Sequence, residues 1–97
     1  MLNEAQKRHL RALAHPRKVI VQTGNAGLTE AVLREIELAL AHHELVKIRV
    51  LAADRDERDA QIARAVATTR SELVQRIGHV AILYRRNPDK EQPIVLP

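Results

Sequence analysis

A chain of 97 residues, 45% of them hydrophobic, has room for one domain with a modest core. Lys and Arg number 16 against 12 Asp and Glu, a net charge of +4 that favours anionic partners. The lack of cysteine excludes disulfides, thiolate zinc sites and a cysteine nucleophile, and without an apolar run near the ~20 residues of a membrane span or a signal-peptide core the expectation is a cytoplasmic protein with no membrane partner.

Asn3 can cap a first helix, with Gln6 three residues on in the capping-box position, and Pro16 ends it. Gln6, Leu10, Leu13 and Ala14 share one side of its wheel, and Lys7, Arg8 and Arg11 lie roughly opposite. That basic side is either a solvated face or a phosphate-contacting one. Val19-Ile20-Val21 is a short unbroken apolar run, which suggests a strand buried on both faces. Gly24-Asn25-Ala26-Gly27 follows, and Thr29 is a good N-cap for a helix ending near His43. Its buried stripe is Val32, Leu33, Ile36, Ala39 and Leu40.

From Leu45 to Leu51 the pattern alternates, with Val46, Ile48 and Val50 on one face and Lys47 and Arg49 on the other. Asp54 and Glu57 read as a cap and its N3 partner for a third helix running to about Arg70. Leu73 to Ile77 and His79 to Arg86 are two strands around Gly78, too close for anything but a hairpin. The tail, residues 87–97, contains three prolines, and Ile94-Val95-Leu96 is a candidate short edge strand. The order α-β-α-β-α-β-β predicts a single α/β domain over residues 1–97, its core at about 3–86, as a two-layer domain with a mixed four-stranded sheet.

Charge is unevenly placed along this pattern. Eight of the 12 acids lie between Glu30 and Asp59, while the first 18 residues hold five bases against one acid. Arg76, Arg85, Arg86 and Lys90 form a second basic group near the other end. The strand–Gly24-x-x-Gly27–helix corner gathers backbone N–H groups and the positive end of a helix dipole, a site suited to a phosphate.

Spacing alone leaves the two glycines open to a plain strand-to-helix turn. The loop is no Walker motif, since G-x-x-x-x-G-K-[S/T] is absent, and the first glycine of a dinucleotide G-x-G is missing. A G-x-x-G loop between strand and helix matches the way some RNA-binding modules clamp a nucleotide backbone. Tyr84 is the only aromatic residue, so reading single strands by stacking bases on aromatic platforms is excluded. RNA would be held through phosphates, 2′-hydroxyls and shape. The adjacent His42 and His43 point about 100° apart on a helix and do not suggest a metal. Ser71, the only serine, has no nucleophile elbow around it. No cofactor, metal, catalytic residue or small-molecule substrate is expected.

Leu13-Ala-His-Pro16, the Gly24-x-x-Gly27-Leu-Thr-Glu30 run and His42-His-Glu-Leu-Val-Lys47 together resemble the CRM domain family (chloroplast RNA splicing and ribosome maturation), most closely its stand-alone bacterial members of the YhbY type. The resemblance runs from about Gln6 to Arg86. It implies a fold similar to the C-terminal domain of bacterial translation initiation factor 3, ribosomal RNA and precursors of the large ribosomal subunit as partners, and a role in ribosome assembly. It also implies an RNA surface at Gly24, Asn25, Ala26 and Gly27. Many family loops carry a lysine between the glycines, whereas Asn25 and Ala26 are uncharged. Backbone amides, Asn25 and the nearby Arg17, Lys18, Lys47 and Arg49 would then supply the grip. Lys7, Arg8, Arg11, Arg85 and Arg86 are the remaining candidate contacts. The competing expectation is a protein–protein adaptor that docks on a ribosomal protein or assembly factor through an acidic surface near Glu35, Glu37 and Glu44.

Overall fold

Three side-chain caps start the three helices. The computed structural model describes residues 1–97. In α1 (Glu4–Ala14), Asn3 Oδ1 accepts the Gln6 N–H at 2.8 Å and Gln6 Oε1 accepts the Asn3 N–H at 3.1 Å, the reciprocal box that the sequence predicts. Thr29 Oγ1 accepts the Val32 N–H at 3.2 Å to open α2 (Glu30–His43). Asp54 Oδ1 accepts the Glu57 N–H at 2.8 Å to open α3 (Arg55–Thr69). Each cap satisfies a donor that the first helical turn leaves without a partner.

The strands are β1 (Val19–Gln22), β2 (Leu45–Arg49), β3 (Glu72–Ile77) and β4 (Val80–Tyr84), in sheet order β1-β2-β4-β3. β1 lies parallel to β2, with Gln22 opposite Arg49. β4 runs antiparallel to β2 and to β3, placing Val80 opposite both Arg49 and Ile77. The predicted mixed four-stranded sheet is therefore present, and β4 of the hairpin inserts between β2 and β3.

In two respects the sheet differs from expectation. Val21 is buried, but Ile20 is 48% exposed. α1 lies over β2 and β3 and not over β1, so the face of β1 that carries Ile20 stays open to solvent. The layers also number three. Val46, Ile48, Ala81 and Leu83 face α2 and α3 and join Leu33, Ile36, Leu40, Ile62 and Ala65 in one core. Leu45, Val74, Ile82 and Tyr84 point the opposite way and pack under α1 with Leu2, Leu10 and Ala14. The period-2 alternation of strand side chains divides the apolar residues between two faces, and α1 covers the second. Each fully buried Leu or Ile here contributes about 1.5–3 kcal/mol.

The tail forms no edge strand. Ile94 and Leu96 pack against the core beneath α1, and the segment is fastened by Glu44. This residue ends α2 with φ 63° and is fully buried. Its two carboxylate oxygens accept the Asn87 N–H at 2.8 Å and the Ile94 N–H at 2.7 Å. The backbone N–H of Ile94 is thus spent on a side chain and cannot enter a ladder.

Candidate nucleic-acid interface

The Gly24–Gly27 corner is a tight turn in which the Gly27 N–H donates to the Gly24 carbonyl at 3.0 Å. Gly27 has φ +74°, a conformation costly for any residue with a Cβ, while a Cβ on Gly24 would meet open space. The N–H groups of Asn25 and Ala26 take part in none of the backbone hydrogen bonds of the fold. They lie with both glycines along a groove of about 650 Å³.

The turn is held from behind. Thr23 is buried; its N–H donates to the Arg49 carbonyl at 3.0 Å and its Oγ1 accepts the Leu51 N–H at 2.9 Å. The loop is thereby tied to the exit of β2, and the groove runs between it and the start of α3. Arg64 lines the same groove and donates to the Leu28 carbonyl at 3.1 Å. Sequence reasoning missed both Thr23 and Arg64. Thr23 directly precedes the Gly24-x-x-Gly27 run, but Arg64 comes from α3, 36 positions after Leu28, and has no local signal. Glu57 also lines the groove, with its carboxylate accepting from the Ala53 N–H at 3.3 Å and the Gln61 Nε2 at 3.2 Å.

The α1 side of the sheet continues from this corner. Arg49, opposite Gln22, is exposed next to the loop. Lys47 lies one residue pair further back and Arg11 of α1 faces it across a small cavity. The Lys47 Nζ donates to the His15 and Arg17 carbonyls at 3.1 and 3.0 Å, capping the end of α1, so this cation is also a structural clamp. Arg17 donates from its guanidinium to the Leu45 carbonyl at 2.9 Å. Arg17 and Lys18 thus stand at the start of β1 and β2, one strand length from the loop. Lys7 precedes Arg11 by one helical turn, and Arg8 is exposed beside them.

Arg85 and Arg86 lie elsewhere. Tyr84 pairs with Leu45, so both arginines leave the sheet at the end opposite the loop. The Arg85 guanidinium pairs with Glu37 and donates to the Thr69 carbonyl at 2.9 Å, locking α2 to the end of α3. Arg86 borders the N-terminus and Leu96. The acidic surface expected near Glu35, Glu37 and Glu44 is also dispersed: Glu44 is buried as the tail anchor and Glu37 is spent on Arg85.

Two titrations respond to their surroundings. His43, at the end of α2, is held below its ordinary value of 6.5 by desolvation first, then by His42, Arg17 and Lys90. Tyr84 is raised above 10.0 by burial first and then by the Glu44 carboxylate, with Arg86 opposing and Glu72 adding to the rise. No helix is long and apolar enough to cross a membrane.

The family described as the CRS1 / YhbY (CRM) domain matches residues 2–85. An RNA-binding protein of Haemophilus influenzae is 47% identical over 96 residues, covering 99% of this chain and 95% of that protein. A Bacillus subtilis protein named "Probable RNA-binding protein YqeI" is 36% identical over 97 residues, covering 100% of each. The solution structure of SAV1595 from Staphylococcus aureus superposes with a TM-score of 0.82 at 40% identity, again covering 100% of both chains.

Proposed function

The chain belongs to the CRS1 / YhbY (CRM) domain family, and from that premise we propose that it binds RNA by the phosphate backbone and acts in assembly of the large ribosomal subunit. The observation that carries the reading is the continuity of the Gly24–Gly27 turn, with its free Asn25 and Ala26 amides, and the bases Arg49, Lys47 and Arg11 on the adjoining sheet face. The names of the relatives support RNA as the partner.

Amides at a turn and guanidinium groups beside it hold phosphate oxygens and fix orientation. Such contacts carry little sequence information, a rule drawn from DNA that extends to the backbone of RNA. Ribosomal RNA and the large-subunit precursor are the proposed partners, because a folded RNA presents phosphates in a fixed shape that a rigid turn can match. Arg17, Lys18, Lys7 and Arg8 lengthen the cationic strip. Arg85 serves the fold, and Arg86 lies at the far end of the sheet.

The test is affinity for large-subunit ribosomal RNA across a salt series, wild type against Gly24→Asp. The site of the new Cβ is open, so the fold tolerates the change while a carboxylate enters the amide corner. A steep loss of affinity with salt and a marked loss in the variant are expected. A flat slope and an indifferent variant would reject the reading. For the assembly role, the tagged protein should sediment with large-subunit precursors and be released by nuclease; association that survives nuclease would favour a protein contact.

A further inference from the structure

Beside the C-terminal end of α1 the sheet holds a cavity of about 180 Å³. Its floor is Ile77, Val80 and Ile82, cross-strand neighbours on β3 and β4. Gln75, paired with Ile82, projects into it, and Arg11, His15 and Lys47 stand at its rim. Ile77 is 60% exposed, an apolar side chain presented to solvent within a ring of polar and cationic groups. The side chains of Gln75 and Arg11 take no part in the side-chain hydrogen bonds or ion pairs of the fold.

We infer that this cavity receives one unpaired base of the bound RNA, adenine being the best match, with its flanking phosphates on Arg11 and Lys47. The inference rests on the RNA-binding reading and deepens it. Charge selects an anionic ligand, the apolar floor requires a flat hydrophobic body, and the idle amide requires a partner with one donor and one acceptor side by side. An unpaired base meets all three conditions, and a primary amide matches the N6 and N7 edge of adenine. The chain lacks Phe and Trp, but the His15 ring lines the cavity, an imidazole can stack on a base face, and aliphatic side chains close the other face. Position agrees as well. Val80 lies two strands from Gln22, about 10 Å across the sheet, so a strand gripped at the Gly24–Gly27 turn passes over the cavity within a few nucleotides.

The test uses fluorescence anisotropy with short oligoadenylate, oligouridylate and a blunt RNA duplex of equal phosphate count. Wild type, Gln75→Leu and Gly27→Val are compared, and the Gln75 side-chain amide is followed by NMR. Leucine keeps the volume of Gln75 and removes only the amide. The wild type should prefer oligoadenylate to the duplex, Gln75→Leu should lose about tenfold on oligoadenylate with duplex binding unchanged, and the Gln75 amide resonances should move. Gly27→Val should weaken all three RNAs alike. Equal wild-type affinity for the three RNAs, or an indifferent Gln75→Leu with Gly27→Val still impaired, overturns the base pocket and leaves the phosphate reading intact. An indifferent Gly27→Val, with the fold retained, overturns the phosphate reading itself. Movement of the Gln75 amide with polyglutamate but not with RNA would assign the cavity to an acidic protein and also overturn the inference.

Discussion

The carboxylate of Glu44 accepts the backbone N–H of Ile94 at 2.7 Å across 50 positions of sequence. Its other oxygen holds the Asn87 N–H at 2.8 Å, so one buried side chain at the end of α2 fixes the tail at two points. Replacing it by alanine leaves two donors without partners. Hydrogen bonds to charged groups contribute about 1.5–3 kcal/mol each, so Glu44→Ala should lose roughly 3 kcal/mol and Glu44→Gln less. Urea unfolding measures the loss, and hydrogen exchange at Ile94 and Asn87 should accelerate more than at Leu83. Unaltered exchange at Ile94 would show that Ile94 and Leu96 anchor the tail by packing alone.

Tyr84 provides a clean pH probe because the chain contains no other tyrosine and no tryptophan. Burial and then Glu44 raise its folded value above 10.0. Between the ordinary and the raised value the unfolded chain has released the proton and the native state has not. Native stability should therefore fall as pH rises past 10. Ultraviolet titration of tyrosinate should show a midpoint above 10 in the native protein and an ordinary one in denaturant. In Glu44→Gln the native midpoint should move down. A native midpoint at the ordinary value would mean that water reaches the phenol.

Gly27 and Gly24 should respond differently to the same substitution. Alanine at Gly27 is placed at φ +74°, whereas at Gly24 it meets open space. Gly27→Ala should cost about 1 kcal/mol and Gly27→Val somewhat more, while Gly24→Ala stays near neutral. Thermal denaturation and RNA affinity measured together separate strain from lost contact. Equal melting temperatures for the two alanine variants would count against the strained turn.

Arginines at the two ends of the sheet should separate stability from binding. Arg49→Ala should reduce the logarithmic salt slope of RNA binding by about one with little change in melting temperature. Arg85→Ala breaks the contact with Glu37 and the Thr69 carbonyl. Glu37 is half exposed, so the pair itself is screened and the loss should be about 1 kcal/mol. The salt slope should be unchanged. A lower slope in Arg85→Ala would place RNA at that end as well.

The local structure was legible because its determinants are local. Asn3 with Gln6, Thr29, and Asp54 with Glu57 each signal a helix start within four residues, and all three caps are in place. The alternation Val46-Lys47-Ile48-Arg49 gives β2, Gly78 gives the hairpin, and two crossovers constrain the strand directions. The Gly24–Gly27 corner was found in the same way, from a strand, two glycines and a capping threonine in one short run.

What stayed hidden depends on residues far apart in sequence. Nothing near Glu44 marks it as buried, because its partners come 43 and 50 positions later. Arg85 read as a free base until Glu37, 48 positions away, took its guanidinium. Ile20 reads as buried from its apolar run, but α1 settles over β2 and β3 to cover the second set of strand side chains and leaves that face of β1 open. Composition, periodicity and capping determined the α/β class, the elements and the Gly24–Gly27 corner of this protein. Only tertiary packing decided which charges serve the fold and which face solvent, because a charge is spent or left free by the neighbours that folding brings to it.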